Sequence, residues 1–506
     1  MFTLSPSAWL PHGETCWRFP RQTTPPRACL TLNELAALPP PRLPAFVRES
    51  TVTLKYLQLL GTLDWSRFPD RLDQRFHPDC PPLSFAAFAA AYLVKLDQHL
   101  PYLSDWRAYL CQHPALVWVL GLPRVPSPNF AWGFDAEHSL PTQRHLSRLL
   151  HELPNAALQV LLDETVRLIG AELRAVVPTW DTCVSLDTKH VIAWVKENNP
   201  KAYLHGKRYD KTQQPRGDPD CRLGCKHKHN QAKARESIET WPTPRENPVP
   251  AAHLEVGEYY WGYGSGVVAV KVDDWGEFIL AELTQPFDQP DVSYFHPLMA
   301  QVERRLGHRP RYGAFDAAFD AFYVYEYFHD VGGFAAVPFV ARGRHPQRAF
   351  SRDGRPLCAA ELPMTPRYTF QVHTTLIPHE RTRYVCPLQY PQVTSPACPV
   401  QHAKWTQQGC VTTLASSPGA RLRYELDRET DLYKDVYRQR TATERINSQA
   451  VALGIERPKL RNGWSIANHN TLTYILINLH ALARIRQRHA EREAAKSAPK
   501  SVRTVL

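Results

Sequence analysis

The sequence predicts a mixed α/β core that carries a β-rich insertion and is preceded by a helical region. Three observations lead there. From about residue 51 to 175, apolar residues recur at helical spacing, as in "PPLSFAAFAAAYLVKL" and "NAALQVLLDETVRLIGAELRAV". At about 178 the pattern turns to β-branched and aromatic runs, beginning with "TWDTCVSLDTKHVIAWV". Residues 336–433 are rich in Pro, Thr, Gln and Cys, with short strand-like pieces such as "RYTFQVHTTLI" and "RYVCPLQ".

Residues 1–50 hold "RQTTPPRACL" and "LPPPRLPAF" and read as an extended proline-rich arm. Within the helical region 51–175, Ser84 opens the first long apolar run. Thr142 caps "LPTQRHLSRLLHEL", Pro154 stops it, and Asn155 caps the helix that follows. Arg144 and Arg148 lie one turn apart and are candidate phosphate contacts; the plain alternative is a solvated helix face.

The first part of the core spans 176–335. A strand runs into Asp187. A polar excursion follows, with eleven Lys/Arg against four Asp/Glu between 196 and 235. "YYWGYGSGVVAVKV", a "DDWG" turn and "EFILAELTQ" read as a hairpin. "VSYFHPLMAQVERRL" is an amphipathic helix, "PRYGAFD" a short strand ending at Asp316, and "AAFDAFYVYEYFHD" a helix. The insertion occupies 336–433. Helical spacing returns over 434–488, at Leu432–Ala452 and in "SIANHNTLTYILINLHALARIRQRH". The basic tail, 489–506, is expected to be disordered.

The 506 residues carry a formal net charge of +11, with 43% hydrophobic and 22% charged residues. That is a globular composition with a bias toward a polyanionic partner, of which nucleic acid is the commonest. "MFTLSPSAWLPHGETCWRFP" has neither the basic start nor the apolar run of a secretory signal, and the apolar stretches are too short or interrupted to span a bilayer. With 11 cysteines, an odd number scattered along the chain, a reducing cytoplasmic compartment is expected.

Three acids stand out. Asp187 and Asp316 end separate strands, where a carboxylate faces the open edge of a sheet. Glu444 lies in a helix with Arg440 at i−4 and Tyr437 at i−7, so the three share one face. Carboxylates on separate elements can hold two divalent ions roughly 4 Å apart, and such a pair activates water or a 3′-hydroxyl at a phosphodiester. Hard oxygen ligands favour Mg2+ or Mn2+. The rivals are Asp320 for Asp316, Asp181 for Asp187, and a surface Arg440–Glu444 ion pair without chemistry for Glu444.

"SLDTKH", "GAFDAAFD" and "YRQRTATERIN" resemble the three catalytic blocks of DDE transposases of bacterial insertion sequences. The resemblance covers about 175–485. The branch it most resembles carries a β-rich insertion and a Y-(2)-R-(3)-E-(6)-K signature. Tyr437, Arg440 and Glu444 match it; the lysine position falls on Val451, and Arg445 or Lys459 are the candidate substitutes. The resemblance implies an RNase H-like core preceded by a helical DNA-binding region. It implies catalytic, metal-binding Asp187, Asp316 and Glu444 with two Mg2+ (or Mn2+). Tyr437, Arg440, Arg445 and Lys189 would contact DNA near the cut, and Trp405 in the insertion would stack on a displaced base. The partners implied are double-stranded terminal inverted repeats and target DNA, handled by a homodimer in a nucleoid-associated, cytoplasmic setting. Two other classes stay open: an RNase H-like nuclease that cuts without joining, and a non-catalytic DNA-binding protein derived from a transposase.

Two cysteine sets are separate from this. "DCRLGCKHKHN" places Cys221, Cys225, His227 and His229 within nine residues, at a spacing unlike a usual finger. Cys358, Cys386, Cys398 and Cys410 all fall in the insertion and are a candidate structural Zn2+ site, although no tight C-x2-C pair occurs and this weighs against it.

Overall fold

The computed structural model describes residues 32–70, 72–73, 83–199, 214–226, 258–338 and 349–497. The chain is mixed α/β. It opens with short helices α1 (Leu32–Ala37) and α2 (Ala45–Arg48), then α3 (Thr51–Leu60). A small ribbon of β1 (Leu72–Asp73) and β2 (Leu83–Ser84) leads into α4 (Phe85–Asp97). Ser84 is the N-cap of α4, its hydroxyl accepting from the Ala87 amide at 3.2 Å. Helices α5 (Leu103–Gln112) and α6 (Pro114–Val119) follow, then a second ribbon of β3 (Val125–Pro126) and β4 (Phe134–Asp135). Helices α7 (Ala136–Ser139), α8 (Gln143–Glu152) and α9 (Asn155–Arg174) complete the helical region.

Two expectations change here. The arm at 1–50 is packed in its described part: Leu35, Leu43 and Val47 are buried, because α1 and α2 supply apolar residues that close against α3 and α6. Residues 1–31 lie outside the described residues. Thr142 caps α8 as expected, accepting from His145. Asn155 does not cap α9; Pro154 holds that position, and the Asn155 amide donates instead to Thr471 at 2.8 Å and Asn468 at 3.1 Å. That contact fastens the helical region to the C-terminal helix.

The main sheet is built from β5 (Cys183–Ile192), β6 (Arg222–Lys226), β7 (Glu258–Val272), β8 (Gly276–Pro286), β9 (Tyr312–Ala314) and β10 (Phe334–Ala336). Its order is β10-β9-β5-β7, with β8 and β6 sharing the far edge of β7. The β7–β8 hairpin turns at "DDWG", where Asp274 (φ 66°) and Gly276 (φ 118°) take positive φ. β5 is antiparallel to β7 and parallel to β9, and β9 is parallel to β10. Helix α10 (Phe295–Leu306) precedes β9, and α11 (Phe322–His329) links β9 to β10.

Both faces of the sheet are covered, which its alternation dictates. Val184, Leu186, Val268 and Val270 point into a core with α10 and α11. Val267, Ala269 and Val191 point the other way, into a core shared with α4, α8, α14 (Thr441–Ala452) and α15 (Gly463–Ser497). The helical region and the sheet thus bury one continuous core.

The insertion is a separate three-stranded antiparallel sheet of β11 (Thr365–Val372), β12 (His379–Val385) and β13 (Val411–Ala415). Helix α12 (Pro418–Glu425) returns from it and packs on α11. The stretch read as one helix over Leu432–Ala452 is two: α13 (Asp431–Arg438) and α14. The chain tightens between them, where Arg440 N–H bonds the Tyr437 carbonyl and Ala442 N–H the Gln439 carbonyl, each three residues back at 3.0 Å. Finally, 489–497 is helical rather than disordered, because α15 runs on to Ser497. Arg492 lies over the Trp275 ring at 4.4 Å, and Gln487 bonds Glu491 one turn on. No described helix is long and apolar enough to cross a membrane.

Candidate active site

The site begins with strand register. β5 pairs with β9 in parallel only as far as Ser185 opposite Ala314. Two residues beyond on each strand stand Asp187 and Asp316. The two carboxylates therefore occupy matching positions just where the parallel pair separates. Asp187 sits mid-strand in β5 rather than at its end, since β5 continues along β7 to Ile192. Asp316 leaves β9 and caps a short 3-10 turn, Ala317–Phe319, accepting from the Ala318 amide at 2.8 Å.

Side-chain alternation decides what Asp187 meets. Leu186 faces α10 and α11, so Asp187 faces α14. There its Oδ2 accepts from the Asn447 amide at 3.1 Å and its Oδ1 from the Thr188 N–H at 2.9 Å. Asn447 is three residues after Glu444, on the same side of α14. Arg440, at the N-cap of α14, donates to Glu444, and its guanidinium is close enough to Asp187 and Asp316 to lower both. Arg440 thus acts on Asp187 and Asp316 while pairing with Glu444. Tyr437 belongs to α13, across the break, but stays adjacent: the Arg440 guanidinium is 5.9 Å from its ring centre.

The electrostatics fit acids crowded together. Burial, then the neighbouring Asp316, pushes the Asp187 carboxyl up to about 7. Burial raises Asp316 as well. A further acid joins them that the sequence reading missed. Asp291 accepts from the Thr188 hydroxyl at 2.6 Å, and its charge adds to the upward push on Asp187. Burial and Asp316 raise Asp291 in turn. Its position after Pro290, at the start of an amphipathic helix, reads as a cap, and nothing local marks it as a site residue. Asn447 did carry a signal, the i+3 spacing from Glu444.

Among the described residues no group of three or more His, Cys, Asp or Glu is spaced as a ready-made metal cage. The donor chemistry nevertheless suits a hard divalent ion: oxygen ligands only, held under mutual repulsion, and partly compensated by one arginine. No family model, curated protein or solved structure matches the chain.

The rival acids have other work. Asp320 is held by Arg423 through two bonds of 2.7 and 2.6 Å, with its side chain 0% exposed, and accepts from Tyr325 at 3.0 Å. It fastens α12 to the start of α11. Asp181 lies before β5, next to His308 at 3.7 Å. The ion pair considered as the chemistry-free alternative for Glu444 does form.

The expected DNA contacts are scattered. Lys189 is paired with Glu456 at 2.9 Å, and Arg445 with Glu277 on β8 at 2.5 Å. Arg144 is exposed on α8, and Arg148 bonds His145 on the same helix at 3.0 Å. Val451, at the signature's lysine position, is exposed, and Lys459 lies over the Trp194 ring at 5.9 Å. Trp405 is half-buried in the insertion, its indole donating to Pro396 at 3.1 Å. Of the other cysteine set, Cys221 is buried beside Asp218, while His227, His229 and most of the basic stretch at 196–235 lie outside the described residues.

Proposed function

We propose that the chain is a DDE transposase with an RNase H-like core, which cleaves DNA at the ends of an insertion sequence and joins them to target DNA. The observation that carries this reading is the matched placement of Asp187 and Asp316 where β5 and β9 separate, with Arg440 near both and paired to Glu444 on α14. The sheet order supports it: one central strand with an antiparallel hairpin on one side and two parallel strands on the other. So does the β-rich insertion lying between the second Asp and the Glu helix.

Asp187, Asp316 and Glu444 would hold the ions. Bound there, two Mg2+ (or Mn2+) would supply positive charge to both the attacking and the leaving oxygen of a phosphodiester. Asn447 and the Thr188 amide hold the Asp187 carboxylate in one orientation. Arg440 partly offsets the charge of the acids and, on releasing Glu444, is placed to contact a DNA phosphate. Hydrolysis at each end would free a 3′-hydroxyl, whose attack on a target phosphodiester breaks one P–O bond as it forms another. A homodimer with one site per end is the simplest symmetric arrangement.

The test is cleavage and strand transfer on a labelled element end with magnesium, comparing wild type with Glu444→Gln. Joined product lost in Glu444→Gln supports the reading. Cleavage without joining favours the nuclease. Repeat binding with no cleavage, unaffected by Asp187→Asn, favours the non-catalytic protein.

A further inference from the structure

We propose that the insertion contains a structural zinc site formed by Cys358, Cys386, Cys398 and Cys410, which fixes the loop carrying Trp405. These four thiols, far apart in the chain, line one small cavity together with His402 and Trp405. Cys410 lies close enough to Cys386 and Cys358 for each to act on its thiol. All four are free thiols.

The backbone around them is built to present sulfur. Cys358, Cys386 and Cys398 each open a tight turn whose fourth residue donates back to the cysteine carbonyl: Glu361 at 2.9 Å, Gln389 at 3.2 Å and Gln401 at 3.0 Å. Two of these turns close through left-handed residues, Glu361 (φ 57°) and Gln401 (φ 48°). Two continue Cys-Pro, which stiffens the turn. The fourth cysteine follows Gly409 (φ 66°), where an added Cβ would come within 2.7 Å of the Cys386 Cβ. Only glycine brings the two segments this close.

The subdomain also needs a fastening. Its own core consists of Met364, Tyr384 and Leu414, with Cys358 and Cys410 among the partly buried residues around them. The stretch from 387 to 409 contributes no strand or helix. So small an apolar cluster does not order a loop of that length by burial alone, and small units commonly add a metal. The set is not already spaced as a cage, so the side chains close by rotating on turns that are already formed. On coordination each S–H gives up its proton, and one Zn2+ takes four thiolates with release of four protons. His402 is the competing ligand. Its Nδ1 accepts from the Lys404 amide at 3.2 Å, while Cys398 offers the turn geometry the other cysteines share.

The experiment is metal analysis of the full chain, purified under reducing conditions without chelator. The expected result is one zinc per chain, retained in His402→Ala and lost in Cys386→Ser and Cys410→Ser. Cobalt replacement should give the thiolate charge-transfer bands of a tetrahedral sulfur site. Should the serine variants fail to fold, alkylation of the wild type decides: the four thiols should resist modification until a chelator is added. Absence of both zinc and cobalt bands, alkylation indifferent to chelator, or a disulfide among the four would each overturn the proposal. Loss of zinc in His402→Ala would overturn Cys398 as the fourth ligand. None of these readouts depends on DNA cleavage, so they are independent of the transposase reading.

Discussion

Asp187→Asn should make the metal-free protein more stable at alkaline pH. The Asp187 carboxyl is raised from 3.8 to about 7 in the folded chain, by burial first and by Asp316 second. A carboxyl raised on folding binds its proton more tightly in the native state. Its full contribution is therefore present below about pH 4 and is lost as pH climbs toward 7. A shift of about three units corresponds to a ceiling of about 4 kcal/mol, and partial water access brings the expected range to about 2–4 kcal/mol. Asparagine keeps the shape without the charge. The Asn447 Oδ1, which has no partner among the described residues, can accept from the new amide once the Asn447 side chain flips. Urea unfolding at about pH 8 should therefore show Asp187→Asn stabilised by that amount, with the gain gone near pH 4. Excess magnesium at about pH 8 should stabilise wild type and leave Asp187→Asn unchanged. Equal destabilisation of Asp187→Asn at both pH values would refute the crowded-carboxylate account.

Glu444→Gln should leave unfolding within about 0.5 kcal/mol of wild type, because the Arg440 pair is solvent-exposed, while abolishing magnesium-dependent cleavage. A large loss of stability would mark Glu444 as structural. Asp320→Ala should be the more destabilising change, costing about 3 kcal/mol by removing the buried carboxylate that ties α12 to α11, and calorimetry reads it directly. Gly262→Ala should fail to accumulate as folded protein, because a Cβ there would stand 2.1 Å from the Val191 carbonyl oxygen; circular dichroism on the soluble fraction checks it. Ser84→Ala should cost about 1 kcal/mol through loss of the α4 cap.

Much of the element order was readable because it rests on local signals. Ser84 and Thr142 are caps whose chemistry acts within a turn, and "DDWG" specifies its own hairpin. Misreadings arose where a distant partner intervened. Asn155 looks like a cap but is drawn to Thr471 and Asn468 on α15. The proline-rich start looked extended, yet Leu35 and Val47 find a core that only the folded helices supply. Residues 489–497 looked disordered, yet they continue α15, where Arg492 lies on Trp275; 498–506 lie outside the described residues.

The candidate site divides the same way. Sequence alone determined the types and order of its acids, and the i, i+3 and i+4 spacings that put Arg440, Glu444 and Asn447 on one helix face. Tertiary structure decided that β5 and β9 pair in parallel to Ser185 and Ala314 and no further, which brings Asp187 level with Asp316. It also decided that Asp291 joins them and that Asp320 is taken by Arg423. Register and cross-strand proximity arise from which strands find each other, and no local run of residues encodes that choice.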